Sequence, residues 1–410
     1  MPFTYAVHAP AEPEWLTSPP SERLLGVYLS SLRHLVSRMS PSAPQRTRCL
    51  RALRIQWKMK CSLFIALVTT SCSAASCQVP QHVPRGTAAM QVRLPEPSLA
   101  DYIDFNDEIV FTGELASGSL DVFFDSRGGF VVADRGQNEI RVYSGEVKLL
   151  WSAGREGPGP GEFQRLRSAV RTSSNEIIAI DNAGRLSIFD ATGALKRTTN
   201  TGLQPVNNAL LLNDSTLLIS GRQPGMLDTP LLHIWNISSE SIVRSFFSTP
   251  PHPKEYDEAY MFTGWTDAAL RRDTLAVIFP LADTLYLFRK DGSPLQKLPL
   301  ELEHFRRLRS PRPTNSSPEE EIEWRNSYTR LSTVYWAPDG SIYVQYFNMT
   351  GHEPIWGLAR FEIKDGRAIP RFDVPNALQF LGPSPSDSRL YFIKADEQES
   401  TSWTIGRLIR

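Results

Sequence analysis

The chain has 410 residues, of which 41% are hydrophobic and 21% charged, so it is long and apolar enough to bury a sizeable core. Its formal net charge of zero hides an asymmetry, because residues 1–60 carry nine basic and three acidic side chains while residues 61–410 carry 35 basic and 41 acidic ones. The mildly acidic main part disfavours a nucleic-acid-binding surface, and no nucleic-acid partner is predicted.

The first predicted element is an export signal at residues 59–77. Basic residues precede Met59, and the ten-residue apolar run CSLFIALVTT (61–70) follows Lys60. A positive stretch, a short apolar stretch and small residues in that order are typical of a secretory signal peptide, and the run is too short to span a membrane as a helix. We therefore expect an exported protein that is periplasmic, outer-membrane-associated or extracellular.

The residues around this signal leave alternatives open. Residues 1–58 are interpreted as a non-native or disordered upstream extension, and a different interpretation takes the acid-free stretch 23–60 as an organelle transit peptide. Cys72 and Cys77 each follow small residues, as the lipidated cysteine of a bacterial lipoprotein does, so the mature protein is either plainly secreted or held at a membrane by a lipid anchor. Residues 78–104 are predicted to form an extended tether.

Repeated groups of short strands are predicted over residues 105–410. The clearest group, SLDVFFDSRGGFVVADRGQNEIRVYSGEVKLLWSAG (119–154), alternates four apolar runs with turn residues, and 169–200 repeats the same order. The later groups, which have larger loops, are 207–247, 267–300, 332–372 and 377–410.

The last group contains only three predicted strands, and an unmatched strand, EIVFTGEL (108–115), precedes the first group. A closed ring requires this offset, since the first strand of the chain then completes the last sheet and leaves no free edge. The sequence therefore predicts an all-β fold, a six-bladed β-propeller closed by an N-terminal strand, with one short helical insertion.

The segment GREGPGPGEF (154–163) connects the outer strand of one predicted blade to the inner strand of the next. Glycine and proline suit a chain that must turn sharply there, and Phe163 is expected to fill the seam between the two blades. Together with GGFVVAD (128–134), this segment resembles the NHL-type repeat and related six-bladed propellers of secreted bacterial proteins. The resemblance implies the fold and, for most such propellers, a role as a binding platform; a few related propellers are enzymes.

The sequence segments that resemble catalytic or binding motifs are predicted to be structural. The glycine-rich segment 154–161 is followed by a strand and lacks the lysine of a phosphate-binding loop. Asp134 and Asp181 close the second strands of two blades, where a carboxylate usually caps a turn. All four cysteines precede residue 78, and the histidines after it form no metal-binding pair. No catalytic residue, metal or cofactor is predicted.

Two insertions interrupt the repeats, at 249–265 and 301–331. Within the second, residues 316–331 are predicted to form a helix with Ser317 as N-cap and Glu320 completing a capping box.

The predicted function is a binding module whose ligand is a protein, peptide or glycan, with contact to a membrane only through a lipid anchor and with a monomeric state. Recognition is expected on the insertion-bearing face near the channel mouth, because loops on a rigid scaffold concentrate binding residues. Trp265 and Trp324 are expected to pack the insertions onto the ring. The predicted contact residues are Arg155, Arg222, Tyr256, Tyr260, His352 and Trp356.

Two other classes of function are kept as alternatives. One is a metal-dependent hydrolase or lyase with its site in the central channel, built from carboxylate, Asn or His side chains of several blades. The other is a structural partner in a cell-envelope assembly.

Overall fold

The fold consists of six four-stranded antiparallel sheets with few helices. The computed structural model describes residues 97–110, 120–224, 229–262, 265–351, 353–376, 378–394 and 402–409. The export signal and the two candidate lipidation sites Cys72 and Cys77, which are predicted within residues 1–96, lie outside these described residues.

The strands are β1 (Ile103–Val110), β2 (Leu120–Phe124), β3 (Phe130–Asp134), β4 (Glu139–Tyr143), β5 (Leu149–Ala153), β6 (Leu166–Arg171), β7 (Ile177–Asp181), β8 (Arg185–Phe189), β9 (Leu195–Asn200), β10 (Val206–Asn213), β11 (Thr216–Gly221), β12 (Leu232–Asn236), β13 (Ser241–Phe246), β14 (Asp267–Arg271), β15 (Thr274–Ile278), β16 (Thr284–Arg289), β17 (Pro294–Pro299), β18 (Arg330–Trp336), β19 (Ile342–Thr350), β20 (Glu353–Lys364), β21 (Arg367–Asn376), β22 (Leu378–Pro383), β23 (Arg389–Lys394) and β24 (Ser402–Leu408). Blades 1 to 5 take four consecutive strands each, from β2–β5 to β18–β21, and blade 6 consists of β22, β23, β24 and β1.

The six blades close into a ring. The first strands of the blades, β2, β6, β10, β14, β18 and β22, are the inner strands; each contacts the next, and β22 contacts β2. In blade 6, β1 pairs antiparallel with β24 from Ile103 opposite Leu408 to Val110 opposite Ser402. The chain's first strand therefore covers the last sheet's outer edge. It begins at Ile103, before the predicted 108–115 and inside the predicted tether 78–104, in which Leu99–Asp101 forms a 3-10 turn. Residues 111–119 lie outside the described part.

The core lies between neighbouring blades. Strands β3 and β7 are buried at every position, because each sheet packs against another blade on both faces. Between blades 1 and 2, the predicted role of Phe163 is confirmed: its side chain is buried against Val131 and Ile140 of one blade and Ile177 of the next.

The connector into Phe163 is held by specific contacts. Gly154 has a φ of +103°, and a Cβ there would lie 2.5 Å from the Phe163 ring, so only glycine fits.

The turn-capping roles predicted for Asp134 and Asp181 are confirmed. Asp134 accepts hydrogen bonds from the backbone of Gly136 and Gln137, and the Asp181 carboxylate accepts three backbone N–H groups.

The described helices are short: 3-10 turns at Leu99–Asp101 and Lys254–Tyr256, α1 (Asp257–Phe262) and α2 (Pro318–Asn326). The capping box predicted for α2 is present, since Ser317 and Glu320 exchange hydrogen bonds of 2.8 and 3.2 Å. The helix ends at residue 326 rather than 331. No helix in the described part of the chain has the length and hydrophobicity to cross a membrane.

Candidate functional site

A cavity of about 280 Å³ lies where the N-terminal ends of the inner strands converge. We call it the channel mouth. Its lining comes from blades 1 to 5 and from the linker before β14. The lining residues used below are Asp121, Arg135, Arg167, Asn207, Asn208, Trp265, Asp267, Arg330, Ser332, Thr333 and Phe347.

The channel mouth opens on the face that carries the insertions. In each blade the inner strand begins on this face, and the loop from second to third strand returns to it. Arg135 sits in such a loop, between β3 and β4, while Trp265 and Arg330 lie at the C-terminal ends of the 249–265 and 301–331 insertions. The least repetitive parts of the chain and the cavity therefore share one face.

Three inner strands carry a β-bulge at the mouth. The pairing register shifts by one residue between Leu166 and Ser168 in β6, and the same shift occurs in β10 and β18. The extra residues are Arg167, Asn207 and Ser332, and all three line the cavity. A bulge leaves one residue out of the ladder and re-aims its side chain, as is common beside functional sites.

Below the bulges, a ring of polar side chains surrounds the channel. These residues, which we call the polar ring, occupy one inner-strand position in each of blades 1 to 5. They are Asp121, Ser168, Asn208, Asp267 and Thr333. Below them the wall is apolar, with Phe123, Val170 and Leu210.

Asp267 connects three blades through hydrogen bonds. Its Oδ1 accepts from Asn208 Nδ2 at 2.7 Å, and its Oδ2 accepts from the Val334 backbone N–H at 2.9 Å. Burial raises the pKa of Asp267 to about 6, with a further increase from the Asp121 charge and an opposing effect of the two hydrogen bonds. This carboxylate therefore changes its charge within the mildly acidic range.

Asp121 is the second carboxylate of the channel. Burial raises its pKa, and the positive charge of Arg135, whose Nη2 lies 3.8 Å from Asp121 Oδ1, opposes that increase.

Arg167 and Arg330 point their guanidinium groups at aromatic rings. Arg167 lies over Trp265 at 4.3 Å from the ring centre, and Arg330 over Phe347 at 4.9 Å and Tyr328 at 5.3 Å. Cation–π contacts of this kind hold a guanidinium in place without neutralising it. Burial, reinforced by nearby arginines, lowers the pKa of Arg167 to about 10.

Neither Arg167 nor Arg330 forms an ion pair with a carboxylate of the described residues. Arg167 donates to the neutral Asn182 side chain at 2.9 and 3.2 Å. Burial lowers the pKa of Arg330, and its buried Nε has no hydrogen-bond partner within the described structure. Together with Arg135, these side chains make the mouth a cationic pocket. It lies above Asp121 and Asp267, the two carboxyl groups whose pKa is raised by burial.

Two of the residues predicted from sequence lie beside a second cavity, of about 410 Å³, between the insertions. Tyr256 and Tyr260 both line it. The Tyr260 ring stacks on His252 at 3.8 Å and on Phe279 at 5.3 Å, and its backbone carbonyl accepts from Arg222 Nη2 at 3.4 Å. Arg222, Tyr256 and Tyr260 are thus brought together beside a cavity other than the channel mouth.

The remaining predicted contact residues are separated from these. Arg155, whose side chain is 79% exposed, pairs with Glu162 at 2.6 Å in the blade 1–2 connector. Trp356 lies on β20 and packs against Phe347 of the channel mouth with 5.4 Å between ring centres. His352 lies outside the described residues.

Trp324 and Trp265, the two tryptophans expected to pack the insertions onto the ring, have different surroundings. Trp324 is buried against Tyr328 and donates to the Ser310 carbonyl at 3.1 Å, so it packs the second insertion. Trp265 instead lines the channel mouth beneath Arg167, and the packing role expected for it does not describe its position.

The metal-dependent alternative expects carboxylate, Asn or His side chains of several blades in the channel, and Asp121, Asn208 and Asp267 come from three blades. In the part of the chain that the structure describes, no group of three or more His, Cys, Asp or Glu side chains could hold a metal ion. Asp121 and Asp267 are the carboxylates that line the channel, and three arginines share the cavity with them.

Sequence reasoning missed Arg135, Arg167, Arg330, Asp121 and Asp267 as candidate site residues. A signal for two of them, Asp121 and Arg167, exists at the start of the inner strands. A buried apolar residue is followed by a polar one in Leu120-Asp121, Leu166-Arg167, Val206-Asn207 and Leu331-Ser332.

Comparisons with known proteins give structural neighbours only. No protein-family model matches the chain, and no curated protein matches its sequence. A crystal structure described as a "putative exported protein" from Bacteroides fragilis is 12% identical, with a TM-score of 0.53, over 77% of this chain and 98% of that one. A member of the DUF4221 family from Bacteroides vulgatus is also 12% identical, with a TM-score of 0.51, over 75% and 98% of the two chains. At this identity the likeness shows the fold alone, which is the six-bladed all-β propeller that the strand order describes.

Proposed function

We propose that this chain is an exported β-propeller, of the NHL-repeat-like kind, that binds its ligand at the channel mouth. The observation that carries the proposal is the cavity of about 280 Å³ into which five blades direct charged, amide, hydroxyl and aromatic groups. A concave site with a few convergent polar groups on a rigid scaffold is the usual form of a small-ligand site.

Three bulges support this assignment, since they place Arg167, Asn207 and Ser332 in the cavity at the expense of regular pairing. Export is supported by the predicted signal at residues 59–77 and by the description of the Bacteroides fragilis neighbour as a "putative exported protein".

The test is a variant that blocks the mouth without changing any charge. Ser332→Trp places a large ring in the cavity from a bulge position, so the strand ladder stays intact. The unmodified chain is screened by thermal shift against neutral sugars, short peptides and small organic acids, and the compounds that stabilise it are tested again on the variant.

We expect those compounds to lose their effect on Ser332→Trp and to keep it on Lys290→Trp. Lys290 lies in the turn before β17, on the opposite face. Compounds that stabilise both variants equally would place recognition outside the channel mouth.

A further inference from the structure

Among the described residues, two groups of partly buried arginines differ in their partners. Arg171 pairs with Asp125 at 3.0 Å, Arg185 with Asp181 at 3.1 Å and Arg141 with Glu139 at 2.7 Å. The guanidinium groups of Arg167 and Arg330 are similarly withdrawn from water and have no carboxylate partner in the described structure. A buried charge without its counter-charge is costly, so this arrangement needs a reason.

Arg167 and Arg330 line the same cavity. Both line the channel mouth, where Arg135 is the third guanidinium, and the Arg135 Nε donates to the Arg167 carbonyl at 2.9 Å. Trp265 and Phe347 hold the two guanidinium planes by stacking, which limits the rotamer freedom that binding would otherwise remove. The site is thus cationic before any ligand arrives.

We propose that the channel mouth selects an anionic ligand, a small molecule or terminal group that carries a carboxylate or a phosphate and is neutralised by Arg167 and Arg330. Planar guanidinium groups bind both anions with two parallel hydrogen bonds. The cavity of about 280 Å³ suits a ligand the size of an amino acid or a monosaccharide. This inference rests on the proposed function and adds to it the chemical class of the ligand.

The neighbouring groups agree with an anion. The Ser332 hydroxyl lies in the same cavity, and the Asn207 and Asn208 amides each have a second N–H beside the one donated to the Thr266 carbonyl or to Asp267. Asp267 uses both oxygens on Asn208 and Val334, and Asp121 lies beside Arg135, so the carboxylates of the channel already have partners other than Arg167 and Arg330.

The experiment is calorimetric titration of the purified chain with three probes at constant ionic strength: citrate, inorganic phosphate and glucose. Citrate tests a carboxylate ligand, phosphate tests a phosphate ligand, and glucose is the uncharged comparison. We expect citrate or phosphate to bind and glucose to bind at least about tenfold more weakly.

Charge removal then tests the residues. Arg167→Gln and Arg330→Gln are each expected to weaken binding of the anion about tenfold or more. Arg330→Lys is expected to weaken it less, because lysine keeps the positive charge and loses only the paired N–H donors of the guanidinium group. Arg289→Gln is the matched control. It removes an exposed arginine at the end of β16, on the opposite face, and is expected to change affinity by less than about twofold.

Several outcomes would overturn the inference: anion affinity unchanged in both glutamine variants, glucose binding as tightly as the anions, or no binding of either anion. If neutral compounds bind, Ser332→Trp abolishes their binding and neither anion binds, then the proposed anionic class of ligand is wrong and the channel mouth is still the binding site. If Ser332→Trp affects no ligand of any charge, the proposed function fails as well.

Discussion

Arginines in two regions of the same face have opposite surroundings. At the connector between blades 1 and 2, Arg185 donates to the carbonyls of Gly157 and Glu162 at 2.9 and 2.6 Å and to Asp181 at 3.1 Å. At the channel mouth, Arg167 and Arg330 stack on aromatic rings and have no carboxylate partner among the described residues.

This difference in partners distinguishes an arginine that stabilises the fold, Arg185, from two that are available to a ligand, Arg167 and Arg330. Arg185 satisfies backbone carbonyls of a segment too rich in glycine and proline to form regular structure, so its hydrogen bonds substitute for a strand ladder. Among the described residues, Arg167 donates only to the Asn182 side chain, and neither Arg167 nor Arg330 donates to a backbone carbonyl. Folding stability should therefore depend on the first region, and ligand affinity on the second.

The largest effect is expected where the connector meets the core. Phe163→Ala removes a ring that is 0% exposed and packed between two blades, and should lower the free energy of unfolding by about 4 kcal/mol. Urea denaturation measures it. Leu195→Ala is the control, because Leu195 is 37% exposed and its removal should cost under about 0.5 kcal/mol. Similar losses in both variants would mean that Phe163 does not join the blades.

Arg185→Gln should follow, with a loss of about 3 kcal/mol, because it leaves Asp181 buried without its cation and frees several connector carbonyls. The same denaturation assay applies. Arg155→Gln changes an arginine of the same connector that is 79% exposed, and its ion pair with Glu162 should contribute less than about 1 kcal/mol. Equal effects of the two substitutions would remove the distinction drawn for Arg185.

A pH-dependent effect is expected at Asp267. Its pKa is raised to about 6 in the folded protein, so the protonated form is favoured there; the associated stability is present at low pH and lost as pH rises through 6. Between pH 4 and 7 the loss amounts to about 2 kcal/mol. Asp267→Asn keeps the side-chain size and removes the titration.

The measurement is the difference in unfolding free energy between Asp267→Asn and the unmodified chain at pH 4 and pH 7, which should move in favour of the variant as pH rises. The groups that act on Asp267 are the Asp121 charge, the Asn208 side chain and the Val334 and Ala268 amides. Burial and the charges of the two aspartates raise the pKa of Tyr335 far above this range, so Tyr335 does not titrate with Asp267. Asp291→Asn is the control: the pKa of that exposed carboxyl is lowered, so it stays ionised from pH 4 to 7 and the difference in unfolding free energy should change little. A pH-independent difference for Asp267→Asn would contradict the assignment.

The fold could be predicted from sequence because its determinants are local. Apolar runs such as FVVAD (130–134) and IIAID (177–181) and the turns around them recur with each blade, and the chain order of the blades is their spatial order. The capping box at Ser317 and the seam at Phe163 were predictable for the same reason, since neighbouring residues decide them.

The channel mouth could not be predicted in the same way. Its residues come from five blades, and the bulges at Arg167, Asn207 and Ser332 shift the alternation of inward and outward side chains by one position. Arg155 was predicted as a contact residue because it lies in an exposed loop, and its ion pair with Glu162 could not be recognised from the sequence pattern. Whether a buried arginine lacks a carboxylate depends on neighbours far away in sequence.

The smallest effect on stability is expected for Arg167→Gln and Arg330→Gln. Each removes a partly buried charge without a carboxylate partner, which favours the variant, and each also removes a cation–π contact with Trp265 or Phe347 that contributes about 1 kcal/mol. The two effects oppose each other, so the free energy of unfolding should stay within about 1 kcal/mol of the unmodified chain. Urea denaturation beside Arg185→Gln gives the comparison directly. Destabilisation of the mouth variants to the extent seen for Arg185→Gln would make these arginines part of the scaffold and leave the cationic mouth without a separate role.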